Sequence, residues 1–285
     1  MKKSKKDRLF TAGLILMLLA GLSLLLYPSV SNYLNSVRQA QSILTYDNEV
    51  AALRQEDYQR LRQQAEEYNV SLLDRPSPHG LTDAQQTLYP TTLLAGGSDV
   101  MAYLEVPSIG VTLPICHGTE TSTLQKAVGH LEWSSLPVGG SSTHCVLSGH
   151  RGLPSSELLT NLDHLEYGDA FYLHVLGDTL EYRVDRVTIV EPGDFQLLGI
   201  EEGKDYVTLI TCTPYGINSH RLLVRGVRVA AGAHGSAALP LINEVRSLDM
   251  KYVILAVPLT LAVVVFLVLT LDKQKRKKKG ESADE

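Results

Sequence analysis

The chain has little cysteine, one tryptophan, and an interior short of positive charge. Three cysteines in 285 residues cannot build the dense disulfide framework of a small secreted scaffold, and an odd number leaves at least one thiol unpaired. No Cys or His pair stands at zinc spacing and the scattered acids specify no calcium loop, so neither a metal nor a cofactor is expected. Residues 9–271 carry 15 basic against 26 acidic residues. That acidity argues against a nucleic-acid partner, because phosphate binding needs a basic face. At 44% hydrophobic and 20% charged residues the chain is neither disordered nor collagen-like.

What is present begins with two long uncharged runs. Leu9 to Leu26 gives 18 residues and Tyr252 to Leu271 gives 20, each long enough to cross a hydrocarbon core of ~30 Å as a helix. Lys2, Lys3, Lys5, Lys6 and Arg8 precede the first run, and Lys273, Lys275, Arg276 and Lys277 to Lys279 follow the second. The positive-inside rule then puts both termini in the cytoplasm and everything between the runs outside, with the lipid bilayer as a partner. A cleaved signal peptide is the rival reading of the first run. Its length exceeds the usual apolar region of about 7–15 residues, and Tyr27-Pro28-Ser29-Val30 offers no Ala-x-Ala site. The expected division is a basic end (1–8), a span (9–26), a helical and loop segment (27–98), a β-domain (99–232), a linker (233–251), a second span (252–271) and a basic tail (272–285).

Residues 32 to about 70 are rich in Gln, Glu, Arg, Ala and Leu with apolar positions at helical spacing, which predicts one or two helices. From Leu72 to Gly97 the pattern breaks into turn chemistry, including Asp74-Arg75-Pro76-Ser77-Pro78 and Ala95-Gly96-Gly97, and a loop is expected. Beyond Val100 the signal becomes short β-branched and aromatic runs: 101–106, 111–115, 144–148, 170–176, 179–190, 206–211 and 221–229. Gly177-Asp178 between two of them is a hairpin turn. A mainly β fold, a mixed or antiparallel barrel, follows.

Cys212 stands where the run Thr208-Leu209-Ile210-Thr211 meets the turn before Pro214. A strand end is rigid yet exposes its last side chain. Arg221 opens the next predicted strand, so a hairpin return brings a guanidinium toward that thiol, where a cation favours thiolate and can donate to a developing oxyanion. In Leu147-Ser148-Gly149-His150-Arg151-Gly152 a strand runs into a glycine-flanked turn that leaves the imidazole uncovered, so His150 is a candidate acid and base partner for Cys212. Cys145 and Cys116 read as core residues, with a disulfide between them left open. His144 and His220 are rivals to His150, the first inside a strand and the second on the opposite strand face from Arg221. Arg225 and Arg228 read as solvated strand charges.

Three blocks carry a resemblance to a known family. Thr208-Leu209-Ile210-Thr211-Cys212 matches the TLxTC motif of the sortases, Ser148-Gly149-His150-Arg151-Gly152 resembles their histidine turn, and Arg221 stands where their essential arginine stands. The run from Thr211 through Tyr215 and His220 to Gly226, with the second span, is similar to class C, the pilin-polymerising members. The resemblance implies an eight-stranded sortase barrel. It also implies that Cys212 attacks the Thr-Gly carbonyl of an LPxTG-like sorting signal to form a thioacyl enzyme. His150 then serves as acid and base, and Arg221 as holder of the signal and of the oxyanion. The implied acceptor is a pilin lysine, making pilin subunits the partners. The alternatives are a peptidoglycan amine as acceptor, or a non-enzymatic scaffold that only binds sorting peptides.

The class also implies an N-terminal lid in which an Asp of a DP-aromatic motif pairs with the arginine. This chain has Asp74-Arg75-Pro76-Ser77 in its place, with an arginine inserted and no aromatic, so Asp74 is the candidate lid residue. Thr211, next to the nucleophile, is a candidate substrate contact.

Overall fold

In a computed structural model the described residues are 5–74 and 80–229. The expected linker, second span and basic tail lie outside them, as do Arg75 to His79 of the candidate lid.

Helix α1 runs unbroken from Lys5 to Ala51 and carries Pro28 inside it. The first apolar run is therefore the start of a much longer helix. Among the described residues α1 is the one helix long and apolar enough to cross a membrane. Its Leu16, Met17, Leu24 and Leu25 stand exposed, whereas a helix of a soluble core turns such residues inward.

The described residues belong to two units, one holding α1 up to Tyr33 and the other starting at Leu34. In the second unit α1 presents Gln39, Ile43 and Tyr46 on one face by their i, i+4, i+7 spacing. Tyr46 is 1% exposed; its hydroxyl donates to the Met101 carbonyl (3.1 Å) and accepts from the Leu176 N–H (2.8 Å). Helix α2 (Gln55–Ser71) buries Leu61, Ala65 and Tyr68. Where a loop was expected, a third helix forms over Asp83–Leu88, because Thr82 and Gln85 make a reciprocal capping box. Tyr89 follows it and is buried. Its hydroxyl donates to the His130 carbonyl and accepts from the Gly118 N–H, both at 3.0 Å. Burial around this contact pushes the imidazoles of His117 and His130 down to about 4.

The rest is a closed eight-stranded barrel of β1 (Val100–Val106), β2 (Val111–His117), β3 (Val128–His130), β4 (Thr143–Ser148), β5 (Ala170–Val175), β6 (Asp178–Val190), β7 (Asp205–Thr213) and β8 (His220–Arg228). Around the barrel the order is β1-β2-β3-β4-β7-β8-β6-β5. The pairs β2/β3 and β4/β7 are parallel and the others antiparallel. Leu104, Ile115, Leu147, Phe171 and Leu209, all fully buried, belong to the main core. Seven strands fall where the alternation predicts them, and the eighth, β3, has only three residues. The β5–β6 hairpin turns at Leu176 (φ 48°) and Gly177 (φ 84°), the left-handed pair that a two-residue hairpin needs.

Candidate active site

Because β4 and β7 run parallel, both deliver their C-terminal ends to one rim. Their register ends with Ser148 beside Ile210. Beyond it the Gly149 N–H donates to the Ile210 carbonyl (3.0 Å), and the Thr211 hydroxyl donates to the Gly149 carbonyl (2.8 Å). His150 follows directly on Gly149, so the turn that carries it leaves β4 at the end of β7 that carries Cys212. On the other side of β7, Cys212 is the direct cross-strand partner of Arg221 in the antiparallel β7–β8 pair, so the two side chains share one face. The Arg221 guanidinium is oriented by Nη1, which donates to the carbonyls of Asn218 (3.2 Å) and His220 (3.0 Å). Cys212, His150 and Arg221 are all half-buried. The structure thus brings the three residues to one rim.

The face behind them is apolar. Strand alternation puts Ile210 on the side of Cys212 and Leu223 on the side of Arg221. With Val146 and Leu198 they form a buried cluster outside the main core, edged by Leu131, Trp133, Val190 and Leu197. The rings of Trp133 and Phe195 meet edge to face at 5.6 Å.

A family model described as the sortase domain matches residues 104–229, the stretch from β1 to the end of β8. Sortase C1 of Streptococcus agalactiae is 44% identical and superposes with a TM-score of 0.64, covering 66% of this chain and 98% of that one. The chain belongs to the sortase family. Sortase C of Streptococcus pneumoniae is similar at 43% identity and a TM-score of 0.60, covering 66% of this chain and 96% of that one. Sortase D of Bacillus subtilis is 32% identical over 129 residues, which span 44% of this chain and 62% of that protein. The fold is thus a sortase barrel, and class C members are among its solved neighbours.

This sortase holds its histidine turn with a residue to which the sequence reading gave no role. The Arg151 side chain is only 9% exposed and pairs with Asp163 at 2.5 Å. Its Nη1 donates to Thr213 Oγ1 at 3.3 Å, and the guanidinium lies 5.9 Å from the centroid of the Tyr215 ring. One cation therefore ties the residue after His150 to the residue after Cys212. The flanking glycines are required by space: a Cβ on Gly149 would come within 2.7 Å of the Leu159 side chain, and one on Gly152 (φ +74°) within 2.9 Å of the Tyr215 ring.

Thr211 faces away from Cys212 along the strand and is 1% exposed. Its hydroxyl is engaged by Gly149, which ties β7 to the histidine turn. One expectation is corrected. Arg225 is not a solvated charge. It is 7% exposed and grips Asp185 with Nε and Nη2 at 3.0 and 2.7 Å.

Asp74 lies exposed just past α2, and the ion pairs of the described residues include none between Asp74 and Arg221. The rival histidines are occupied elsewhere. His220 is exposed and bonds Ser219, whereas both ring nitrogens of buried His144 are engaged, with the Gly199 carbonyl and Thr208 Oγ1. All three cysteines are free thiols. Burial pushes Cys116 up to about 11 and raises Cys145 as well, which leaves half-buried Cys212 as the thiol a reagent can meet.

Proposed function

We propose that this sortase is a membrane-anchored cysteine transpeptidase that cuts an LPxTG-like sorting signal between Thr and Gly and joins the acyl end to a pilin lysine, polymerising pili. The Cys212 thiolate attacks the threonine carbonyl carbon while Arg221 donates to the oxyanion. The C–N bond to glycine breaks, and the His150 imidazolium gives its proton to the leaving amine. The lysine amine then attacks the thioester, yields a proton to His150, and expels Cys212 as thiolate. The observation that supports this reading best is the single rim shared by Cys212, Arg221 and the His150 turn. The class C neighbours support the pilin lysine over a peptidoglycan amine.

The topology that goes with this function has two spans, with the barrel outside and both termini in the cytoplasm. The span within α1 and the basic residues before it support this reading. Asp74 is the candidate lid residue: faster peptide hydrolysis or thiol labelling in Asp74→Ala assigns it to a cover over Cys212, and unchanged rates remove it.

Mass spectrometry of the protein with an LPxTG peptide tests the reading. An adduct on Cys212 that ends in the threonine acyl group is expected; no adduct, or one on another cysteine, overturns it. Incubation with a pilin and its Lys→Ala variant then separates the acceptors, because ladders from both variants count against lysine-directed polymerisation.

A further inference from the structure

The apolar strip behind Cys212 is walled on one side by the segment between β6 and β7, through Leu197 and Leu198. That segment is not held by its own hydrogen bonds alone. Two of its residues are gripped by buried polar side chains that the transpeptidation chemistry does not use. The first grip is ionic. The ladder between β6 and β8 shifts register between Val184 and Arg186, so Asp185 is a bulged residue whose carboxylate turns to Arg225. Arg225 spends its third contact on Glu201, 3.3 Å from Nη1, and its guanidinium carbon lies over the Tyr206 ring, 4.0 Å from the centroid. The Tyr206 hydroxyl reaches the other oxygen of Glu201 at 3.4 Å.

The second grip is His144. Burial holds its imidazole below the usual range, and the Arg225 cation beside it acts in the same direction. The neutral ring donates through Nδ1 to the Gly199 carbonyl at 2.8 Å, since a carbonyl only accepts, and Nε2 accepts from the Thr208 hydroxyl at 2.7 Å. Its edge meets the Tyr206 ring at 5.6 Å. Gly199 and Glu201 thus fasten the segment immediately after Leu197 and Leu198, and the fasteners come from β4, β6, β7 and β8.

We propose that Arg225, with Asp185, Glu201 and His144, forms a set of positioning residues that fixes the β6–β7 segment as a wall of the peptide face and so sets how tightly and how selectively the donor peptide is held. None of these side chains meets the reacting atoms. Their loss widens the apolar strip and leaves the Cys212–Arg221 pair unchanged. The inference rests on the transpeptidase reading above.

The test uses the full-length protein in detergent micelles with an LPxTG peptide and a second peptide in which the leucine is replaced by valine. The variants are Glu201→Gln, whose side chain is half exposed, His144→Gln, whose amide can still donate to Gly199, His144→Ala, and Arg225→Lys, which keeps the charge and loses the fork. Expected for Glu201→Gln, His144→Ala and Arg225→Lys is a KM about tenfold higher with kcat within about twofold, the signature of lost uniform binding. Discrimination between the two peptides, which one methylene sets at about tenfold or more, falls toward unity. His144→Gln restores part of both.

The rate of Cys212 alkylation by iodoacetamide stays at the wild-type value. Unchanged KM and unchanged discrimination in folded Glu201→Gln and His144→Ala overturn the inference, as does a fall in alkylation rate and kcat at constant KM. A wild type that leaves both peptides uncut overturns the transpeptidase reading instead, and the inference with it.

Discussion

Arg221 lies directly opposite Cys212 across the β7–β8 pair. The two backbones are thereby held side by side by ladder hydrogen bonds, and the guanidinium is oriented by the Asn218 and His220 carbonyls. A strand-borne cation is well suited to act on charge that develops in a transition state, because little reorganisation is needed when the charge appears. Replacing it by lysine keeps the charge and loses the planar fork. We expect Arg221→Ala to lower kcat/KM for an LPxTG peptide by about 100-fold or more, and Arg221→Lys to recover little of it. Wild-type kinetics in the alanine variant would remove Arg221 from the chemistry.

Arg151 acts one residue away from the imidazole. Its pair with Asp163 and its bond to Thr213 join the two turns that carry His150 and Cys212. Arg151→Ala is expected to lower kcat with KM little changed and to lower the melting temperature, since hydrogen bonds to a largely buried charge are worth about 1.5–3 kcal/mol each. Arg151→Lys should regain stability more than kcat. Equal recovery of both, measured by calorimetry and steady-state kinetics, would reduce Arg151 to a structural residue.

Gly152 admits no side chain without cost. A Cβ there meets the Tyr215 ring and sits at a left-handed φ, which costs about 1–2 kcal/mol for an L-residue before the clash is counted. Gly152→Ala should therefore lower both the melting temperature and kcat. An unaltered kcat would indicate that the His150 turn tolerates displacement.

Thiol accessibility separates the cysteines. In the native protein iodoacetamide should add a single carbamidomethyl group, on Cys212, and three after denaturation. Native labelling of Cys116 or Cys145 at a comparable rate would contradict their burial at 6% and 3% exposure.

Acid sensitivity has a defined source. His117 and His130 are held neutral by burial, with folded values of about 4, so between pH 6.5 and pH 4 the unfolded chain binds more protons than the folded one. Stability is then fully present above about pH 6.5 and falls as the pH drops toward 4, by on the order of 3 kcal/mol for His130. Urea unfolding across this window should show the decline, and His130→Gln should flatten it. Parallel slopes for wild type and variant would assign the decline to other groups.

Much of this was legible in the sequence, for identifiable reasons. Seven strands announced themselves by β-branched alternation, and Cys212, His150 and Arg221 each stood at a strand end, where turn chemistry marks a boundary. The short β3 was not legible because Val128-Gly129-His130 is too brief to alternate; only its pairing with β2 and β4 makes it a strand. The helix over 83–88 carried a signal in Thr82 and Gln85, which the surrounding turn residues masked. Arg225 was misjudged because alternation reports which face a residue occupies and not what covers that face. Its partners Asp185 and Glu201 come from a bulge and a connecting segment, neither of which a strand pattern encodes. Arg151 was quoted within its motif without a role, since its partner Asp163 lies in an irregular stretch with no periodicity.

The side-by-side, same-direction course of β4 and β7 also decides which parts of the chain are free to vary. Between Gly152 and Asp205 the chain contributes β5 and β6 to the barrel, while its connecting segments stay out of the hydrogen-bonded ladder between β4 and β7. Changes in length within the connections outside β5 and β6 leave the pairing of β4 with β7 untouched, so the rim that carries Cys212 and the His150 turn stays set by a few peptide units at the seam.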